Sequence, residues 1–267
     1  ARQIINSDAK IINRLGSNAL ANYLLVNKGV YATDEDVPVN PATGERMKAA
    51  NNKNNGYVYM QAGDPIWVDV NGDYIIDDKD KVVVGNSQPR LTGGFNANLR
   101  YKSFSINTNF SFTIKRDIIN KALADRFAAY GNPLSKDLNG SGAITPIEAF
   151  DFWKEDHIYA KYPNPFDYIR GGTADHQVNF FRPDQTLFME DGSFLKINGV
   201  SISYVLPKKV LDFLRVERVQ LNASVNNIYT FSKYSGVNPE NVNSLGYDVS
   251  GGYPNSRNYT MGVSIDF

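Results

Sequence analysis

Apolar and polar residues alternate through five separate stretches of the chain. One face of the stretch SFSINTNFSFTI carries Phe104, Ile106, Phe110, Phe112 and Ile114, and the other face carries Ser, Asn and Thr. The same period of two runs through residues 91–101, 200–206, 219–225 and 259–267. Because successive side chains of an extended chain point to opposite sides, each stretch predicts a β-strand with one apolar and one polar face.

The length of these strands separates two kinds of β protein. Several reach about ten residues, whereas strands of soluble proteins usually have five or six. Strands of about 9–11 residues, apolar on one face and polar on the other, are typical of a transmembrane barrel with a watery lumen. An antiparallel sandwich with one wet face gives the same alternation, so the pattern alone leaves both folds open.

The connections between strands favour the barrel. Residues 101 and 104 are joined by a tight turn, and PKKVLDFLRV (207–216) is a short link. The other connections are long and lie near residues 30–89, 115–193 and 231–256. Short periplasmic turns that alternate with long extracellular loops are typical of outer-membrane barrels, and a sandwich does not require this segregation.

The number of strands predicts a part of a barrel. Five strands are clear, a sixth is predicted at about residues 18–30, and a weaker seventh at about residues 3–14. Bacterial barrels of one chain have even numbers of eight or more strands, and an open sheet leaves unpaired backbone in lipid. We therefore expect the 267 residues, which begin ARQIIN without Met, to pair with further strands of a longer protein.

Composition removes several classes of function. The 28 basic and 28 acidic residues balance, so the basic field that attracts nucleic acid is missing, and we expect no nucleic-acid partner. The chain has no Cys, which excludes disulfides, thiolate metal sites and cysteine nucleophiles within it. Its only histidines are His157 and His176, so a histidine-rich metal site is not expected.

Three blocks of sequence carry a family resemblance. The blocks are GDPIWVDVNGDYIIDDKDKVVVGNSQPRLTGGFNANLRYKSFSINTNFSF, RPDQTLFMEDGSFLKINGVSISYVLPKKV, and LNASVNNIYTFSKYSGVNPE followed by GYDVSGGYPNSRNYTMGVSIDF. They resemble the last third of SusC/RagA-type TonB-dependent outer-membrane transporters. The similarity covers most of residues 63–267, and the first sixty residues match only loosely. The order and spacing of the blocks make the resemblance specific.

The resemblance implies an all-β fold and a transport function. It implies the C-terminal part, residues 1–267, of an antiparallel barrel of about 22 strands whose lumen holds a plug. It further implies import of glycans or peptides, energised by the TonB complex, beneath a SusD-like surface lipoprotein that acts as a lid. The expected location is the outer membrane, in contact with its lipid, of a Gram-negative, Bacteroidota-like bacterium. The family's N-terminal plug and TonB box have no counterpart in these residues.

The end of the chain resembles the family's barrel-assembly signal. Apolar residues occupy every second position of YTMGVSIDF, and the last residue is aromatic. Insertion machinery would read such a strand by strand addition, in which alternate side chains fill pockets beside paired backbone. The alternative is an ordinary last strand that ends in Phe. The residues concerned are Tyr259, Met261, Val263, Ile265 and Phe267.

The stretch DVNGDYIIDDKD, residues 69–80, has the spacing of an EF-hand-type calcium loop. At position 6, where calcium loops use Gly, the chain has Tyr74, and position 12 is Asp in place of the longer Glu. Two interpretations stay open: Ca²⁺ that stiffens an extracellular loop, and a solvated acidic turn with Asx hydrogen bonds. The candidate ligands are Asp69, Asn71, Asp73, Asp77 and Asp80, with the Ile75 carbonyl at position 7.

The long loop 115–193 is rich in aromatic residues. Aromatic side chains on exposed loops stack on sugars or pack against a partner, so we consider five of them as substrate or lid contacts. The alternative, which we favour for most of them, is a small core of the loop itself. The residues are Trp153, Tyr159, Tyr162, Phe166 and Tyr168. The segment DIINKALADRFAAYG in the same loop predicts a short amphipathic helix.

Catalysis has little support in the sequence. The carboxylates Glu148, Glu155 and Asp156 are near one another, but a glycosidase needs two carboxyl groups at a set separation in a cleft. His157 beside Asp156 is more typical of a surface residue than of a general base. We therefore expect no enzyme. Two alternatives to the transporter stay open: a soluble extracellular β-sandwich binding module with a calcium-stiffened loop, and, with less support, a glycan-cleaving enzyme.

Overall fold

The structure is a computed structural model that describes residues 3–5, 12–14, 21–51, 56–130, 147–165, 178–248 and 255–267. The chain forms two compact units. The first, which we call the loop unit, contains residues 1–87, 118–189 and 242–251. The second, which we call the sheet unit, contains residues 88–117, 190–241 and 252–267.

Strands dominate the described residues, and the helices are few and short. No described helix is long and apolar enough to cross a membrane. The strands are β1 Gln3–Ile5, β2 Ile12–Arg14, β3 Ala21–Leu24, β4 Asn27–Val30, β5 Lys48–Asn51, β6 Gly56–Tyr59, β7 Pro65–Trp67, β8 Ile75–Ile76, β9 Val82–Asn86, β10 Leu91–Tyr101, β11 Phe104–Ile114, β12 Asp117–Ile119, β13 Met189–Asp191, β14 Phe194–Val205, β15 Arg218–Ser232 and β16 Asn258–Asp266. The α-helices are α1 Lys121–Tyr130 and α2 Lys208–Leu214, and short 3-10 helices cover Asp34–Asp36, Asp78–Asp80, Ile147–Ala149 and Thr186–Phe188.

The sheet unit is built on one antiparallel sheet of five strands in the order β10-β11-β14-β15-β16. The strands β10 and β11 have the predicted bounds, and β14 and β15 extend beyond the predicted 200–206 and 219–225. Among the described residues, β10 and β16 each pair on one side only. The structure thus confirms five long antiparallel strands, while the closure of a barrel and its strand number stay predictions.

The register of the sheet gathers the apolar side chains on one face. Across the central strands, Ile106 lies opposite Ile202, and Ile202 lies opposite Ala223. Aromatic rings pack across neighbouring strands of this face, with centroids 4.5 Å apart for Phe95 and Phe110. Many apolar side chains of the face are exposed, among them Leu99, Tyr101, Phe104, Ile202, Leu221, Tyr259, Met261 and Val263.

The opposite face of the sheet is polar. Asn107 lies opposite Ser201, and Ser201 lies opposite Ser224. Hydrogen bonds link its side chains, as from the Ser111 hydroxyl to the Asn198 side-chain oxygen at 3.3 Å. The two faces therefore differ as the alternation of the sequence predicts.

Asn198 marks an irregularity in β14. The register of β14 shifts between its pairs on either side of Asn198, against both β11 and β15. A β-bulge of this kind adds one residue to a strand and changes which side chains share a face. As a result Ile197 and Val200, three positions apart, lie opposite Phe110 and Thr108, which are two positions apart on the apolar face of β11.

The loop unit combines segments from the long connections of the chain. Backbone hydrogen bonds join these segments, from Leu25 to Asp184 at 3.0 Å and from Ile119 to Gly246 at 2.8 Å. Small sheets support it: β3 pairs with β9, β4 with β7, and β5 with both β6 and β8. The predicted amphipathic helix is confirmed as α1.

The two further barrel strands predicted near the start of the chain are wrong. The described part of 18–30 forms β3 and β4, which pair with β9 and β7 and not with the large sheet. The adjacent Leu24 and Leu25 are both fully buried, which an alternating barrel strand does not allow. The described ends of 3–14 are β1 and β2, which pair antiparallel with each other and therefore are not one strand.

Aromatic rings form the centre of the loop unit. Phe127 of α1 is fully buried, and its ring lies 4.7 Å from that of Phe152 and 4.8 Å from that of Tyr162 in edge-on contacts. Phe150, Phe181 and Phe188 also contact its ring. Such edge-to-face pairs contribute beyond the burial of their area, by about 0.5–1.5 kcal/mol each.

A network of four charged side chains joins two segments of the loop unit. Lys81, whose side chain is 1% exposed, lies 2.7 Å from Asp184 and 2.8 Å from Asp78. Arg182 donates two hydrogen bonds to the Asp184 carboxylate, at 2.6 and 2.7 Å. Burial alone would raise the pKa of Asp184, but the hydrogen bonds and charges of Arg182 and Lys81 lower it well below its usual range.

We expect Lys81→Met to destabilise the loop unit by about 3–5 kcal/mol, because it leaves the buried Asp184 without one of its cations. The matched control is Lys79→Met, since Lys79 is 73% exposed in its side chain and pairs with Asp77 at 3.3 Å. The control should leave stability almost unchanged, because an ion pair of exposed side chains is screened by solvent. Both effects are measured by heating the full-length protein and recording, at each temperature, how fast a protease cleaves within residues 21–87. Equal effects of the two substitutions contradict the prediction.

The lowered pKa of Asp184 also predicts a dependence on pH. A carboxyl group whose pKa is lower in the folded state stabilises that state above its unfolded pKa, about 3.9, and loses this effect as pH falls through the folded pKa. Asp184→Asn should therefore lower the unfolding temperature at neutral pH, and the difference from the wild type should shrink as pH falls below about 3.9. A difference that grows on acidification contradicts this assignment.

Candidate functional site

The acidic loop 69–80 belongs to the loop unit, and its side chains hold the loop's own backbone. The Asp69 carboxylate accepts hydrogen bonds from the amides of Gly72 at 2.7 Å and Tyr74 at 2.8 Å. The Asn71 side-chain oxygen accepts from the Asp73 amide at 2.9 Å. The bond to Asn71 spans two residues and is an Asx turn, as the sequence predicts for an acidic turn, and the Asp69 carboxylate reaches amides three and five residues on.

Tyr74 occupies the position at which calcium loops use Gly. Its φ of 62° lies in the left-handed region, so the backbone takes at this residue the conformation for which Gly is otherwise selected. A non-glycine residue pays about 1 kcal/mol or more for this conformation. The hydrogen bond from its amide to Asp69 is one interaction that offsets the cost.

Asp80, the last candidate ligand, is fully buried. Its carboxylate oxygens accept hydrogen bonds from the amides of Val70 at 2.9 Å and Asp77 at 2.8 Å. Burial raises the pKa of Asp80, although these two hydrogen bonds act in the opposite direction. Asp77 in turn accepts from the Lys79 amide at 2.7 Å and caps the short helix that follows.

Calcium binding by this loop stays a prediction. Within the described residues, no group of three or more His, Cys, Asp or Glu side chains is arranged to hold a metal ion. The oxygen atoms that the sequence proposes as ligands are used by backbone amides, at Asp69, Asn71, Asp73, Asp77 and Asp80.

The structure divides the five aromatic candidates for substrate or lid contact. Trp153 is buried: its indole N–H donates to the Ala32 carbonyl at 3.2 Å, and its ring lies so close to Gly63 that a Cβ there would be 2.9 Å from it. Tyr162 belongs to the aromatic core. Tyr159 is 83% exposed and is available for contact. Phe166 and Tyr168 lie outside the described residues.

A shallow groove adjoins these aromatic residues. Its one histidine, His157, has Asp151 as its carboxylate partner, with 2.7 Å between the ring Nε2 and a carboxylate oxygen. The other Asp151 oxygen accepts from the Lys161 amide at 2.9 Å, and the hydrogen bond from His157 is the main cause that lowers the pKa of Asp151. Both side chains of the pair are about half exposed. The groove is lined by Glu148, Ala149, Phe150, Asp151, Phe152, Lys154, Asp156 and His157.

The sequence analysis did not identify one exposed aromatic pair. Tyr57 and Tyr59 of β6 are each about half exposed, and Lys48 of the neighbouring strand lies 4.9 Å from the ring centre of Tyr57. Glu45 accepts from the Tyr59 hydroxyl at 3.2 Å and pairs with Lys48 at 3.1 Å. The spacing Y-x-Y in a short strand is the signal that points to this surface.

The strand predicted to be the assembly signal is β16, the edge of the large sheet. It pairs with β15 from Arg218–Asp266 to Asn226–Asn258. Its role in assembly stays a prediction. Its alternate apolar side chains, and the last residue of the chain after it, are exposed: Tyr259, Met261, Val263, Ile265 and Phe267.

Known proteins similar to this chain are TonB-dependent receptors. No protein-family model matches the chain. The TonB-dependent receptor P3 of Formosa agariphila is 26% identical over 216 residues, which are 77% of this chain and 19% of that protein. The TonB-dependent receptor SusC of Bacteroides thetaiotaomicron is 25% identical over an alignment of 275 residues, covering 95% of this chain and 24% of SusC.

The fold is similar to that of a solved transporter. A structure of the RagAB peptide transporter matches with a TM-score of 0.65 and 19% identity, over 100% of this chain and 25% of that chain. The chain thus spans about a fifth to a quarter of the length of these proteins. At this identity the structural similarity shows the fold.

The acidic loop yields a prediction that separates its two interpretations. We expect Asp80→Ala to destabilise the loop by about 2–3 kcal/mol whether or not calcium is present, because two amides lose their acceptor. Asp73→Ala, at an exposed position, should cost less in the absence of calcium, and under the calcium interpretation it should abolish any stabilisation by the ion. Protease cleavage of the full-length protein with calcium and with a chelator measures both. If Asp73→Ala keeps the full stabilisation by calcium, Asp73 is not a calcium ligand.

Proposed function

We propose, from the confirmed resemblance to SusC/RagA-type TonB-dependent transporters, that this chain supplies barrel strands and extracellular loops of an outer-membrane nutrient importer. The resemblance concerns the C-terminal part of such proteins. The long strands of the sheet would lie in the membrane, and the long connections near residues 30–89, 115–193 and 231–256 would be extracellular. The TonB complex would energise the import through parts of the protein that precede these residues.

One observation carries the proposal, namely the two-faced sheet. Apolar side chains along β10, β11, β14, β15 and β16 share one face, and many of them are exposed, such as Leu99, Ile202 and Val263. In water such a face would be covered by other apolar groups, because about 25 cal/mol is gained for each Å² buried. Lipid covers it in a membrane, where the Asn, Ser and Thr of the opposite face meet the hydrated lumen.

The cargo and its capture follow from the same proposal. The cargo class is glycan or peptide, and the peptide alternative is supported by the similarity of fold to RagAB, which is a peptide transporter. A SusD-like lipoprotein would close over the extracellular loops. The exposed aromatic side chains of the loop unit, Tyr57, Tyr59 and Tyr159, are the described surface residues that suit contact with a lid or cargo.

The alternative of a soluble sandwich module is not favoured. A sandwich packs a second sheet about 10 Å from the first, so that the inner faces interdigitate. Within the described residues, the apolar face remains exposed at 64% for Leu99 and 86% for Met261. An exposed apolar surface of this extent favours contact with lipid over contact with water.

Two neighbouring substitutions in β15 test the proposal. Ala223 lies opposite Ile202 and Met261 on the apolar face, and Ser224 lies opposite Ser201 and Thr260 on the polar face. We expect Ala223→Arg to cost about 2–4 kcal/mol, because it places a charge in lipid, and Ser224→Arg to cost roughly 0–1 kcal/mol, because it faces water. The measurement is the fraction of the full-length protein that is folded in isolated outer membranes, judged by its heat-dependent gel mobility.

The reverse order, with Ser224→Arg the more damaging substitution, would exchange the two faces and contradict the proposal. Equal effects would also contradict it, because a water-soluble sheet with both faces wet tolerates both. Recovery of the full-length protein in soluble form, from cells lysed without detergent, would contradict a location in the membrane.

A further inference from the structure

The short link between β14 and β15 contains an amphipathic helix. Helix α2 follows Pro207 directly, and Val210, Phe213 and Leu214 lie on one arc of it at spacings of three and four residues. Lys208 and Asp212 lie on the opposite arc, Lys209 flanks the apolar arc beside Phe213 at a spacing of four, and Arg215 caps the helix in the left-handed conformation.

The apolar arc of α2 is exposed to an unusual degree for a soluble link. Phe213 is 86% exposed, Leu214 49% and Val210 38%. Leu211, on the edge of the arc, is only partly exposed. A helix with one charged arc and one exposed apolar arc is suited to an interface between water and lipid.

The helix lies at the end of the sheet where aromatic residues collect. Backbone pairing continues to Leu206, whose amide donates to the Val219 carbonyl at 3.0 Å, and α2 begins two residues later. Phe104 and Tyr204 pack against each other across the strands, with ring centres 4.4 Å apart and ring planes tilted by 32°. The ammonium group of Lys102 lies 5.3 Å from the centre of the Tyr101 ring. Aromatic girdles of this kind mark the level of the lipid headgroups in membrane barrels.

We infer that α2 is an interfacial helix whose apolar arc inserts into the inner leaflet of the membrane that surrounds the sheet. The inference rests on the proposed function, because it requires the apolar face of the sheet to meet lipid. Continuity carries it: the exposed apolar arc begins where the exposed apolar face of β14 and β15 ends. Phe213 and Leu214 enter the boundary between headgroups and acyl chains, and the helix axis lies along the membrane surface.

Charge specifies the lipid. The helix and its cap carry three cations, Lys208, Lys209 and Arg215, and one anion, Asp212. Lys102 adds a cation in the tight turn between β10 and β11. Basic residues beside a membrane attract anionic headgroups, and each contributes more as the surface becomes more negative. The partner is therefore an anionic phospholipid surface.

The test places a polarity-sensitive nitrobenzoxadiazole probe at single positions of the full-length transporter in liposomes of phosphatidylethanolamine and phosphatidylglycerol. Phe213→Cys carries the probe on the apolar arc and Asp212→Cys carries it on the polar arc, after any cysteines elsewhere are replaced. Ile202→Cys, on the apolar face of β14, is the reference for contact with lipid. Quenching by brominated phospholipid reports lipid contact, and quenching by iodide reports contact with water.

We expect phospholipid brominated near the headgroup end of its chains to quench the probe at 213. Iodide should quench the probe at 213 at most about half as strongly as the probe at 212. The probe at 202 should respond to bromines deeper in the chains. Replacing phosphatidylglycerol by phosphatidylcholine, or introducing Lys208→Gln with Lys209→Gln, should reduce the quenching at 213 and leave that at 202 unchanged.

Three results would overturn the inference, and they differ from failure of the proposed function. Equal iodide access at 213 and 212, with lipid quenching intact at 202, means that α2 stands in water beside a genuine barrel. A blue-shifted probe at 213 without lipid quenching means that protein covers the arc. If lipid quenching at 213 does not depend on phosphatidylglycerol, the helix does not recognise anionic lipid by its charge. Absence of lipid quenching at 202 contradicts the proposed function instead, because the apolar face of the sheet then does not meet lipid.

Discussion

Pairing between β11, β14 and β15 fixes the side of the sheet on which every side chain of these strands lies. Once Ile106 is opposite Ile202 and Ile202 is opposite Ala223, alternation assigns the other residues of the three strands to a face as far as the bulge at Asn198, beyond which the assignment is reversed in β14. A shift of register by one residue would exchange the apolar and polar faces of one strand. Neighbouring Phe and Ile would then lie beside Asn and Ser, at a cost spread over the whole strand. The proposed division between lipid and lumen thus depends on backbone hydrogen bonds as much as on composition.

The loop unit has a different physical basis. Connections of many tens of residues are costly to order, and those of this chain form a common core. Phe127 centres a cluster of rings, and Lys81, Asp184 and Arg182 join two segments through buried charges. Ion pairs of this kind require partners in a fixed geometry, so they favour one arrangement of the segments over others. A surface presented to a partner needs such rigidity, because a loop ordered beforehand loses less entropy on binding.

Much of the sheet was predictable from the sequence, and the failures have identifiable causes. The strands β10 and β11 were predicted with their observed bounds because alternation runs through them without interruption. The strand β14 was predicted too short, since the bulge at Asn198 reverses the alternation and separates 194–197 from 200–205. The loop unit was poorly predicted, because the burial of Lys81 depends on Asp184, which is distant in the sequence. Trp153 and Tyr162 could not be distinguished from the exposed Tyr159 before their packing against Gly63 and Phe127 was known.

Within the described residues, β10 and β16 each pair on one side only, which has a consequence for how such a sheet forms. An unpaired side presents a row of backbone N–H and C=O groups, and such rows also pair with copies of other chains. Before both edges are joined to partner strands, the chain would therefore be exposed to aggregation along either side. A chaperone that masks strand edges would protect the chain during that interval.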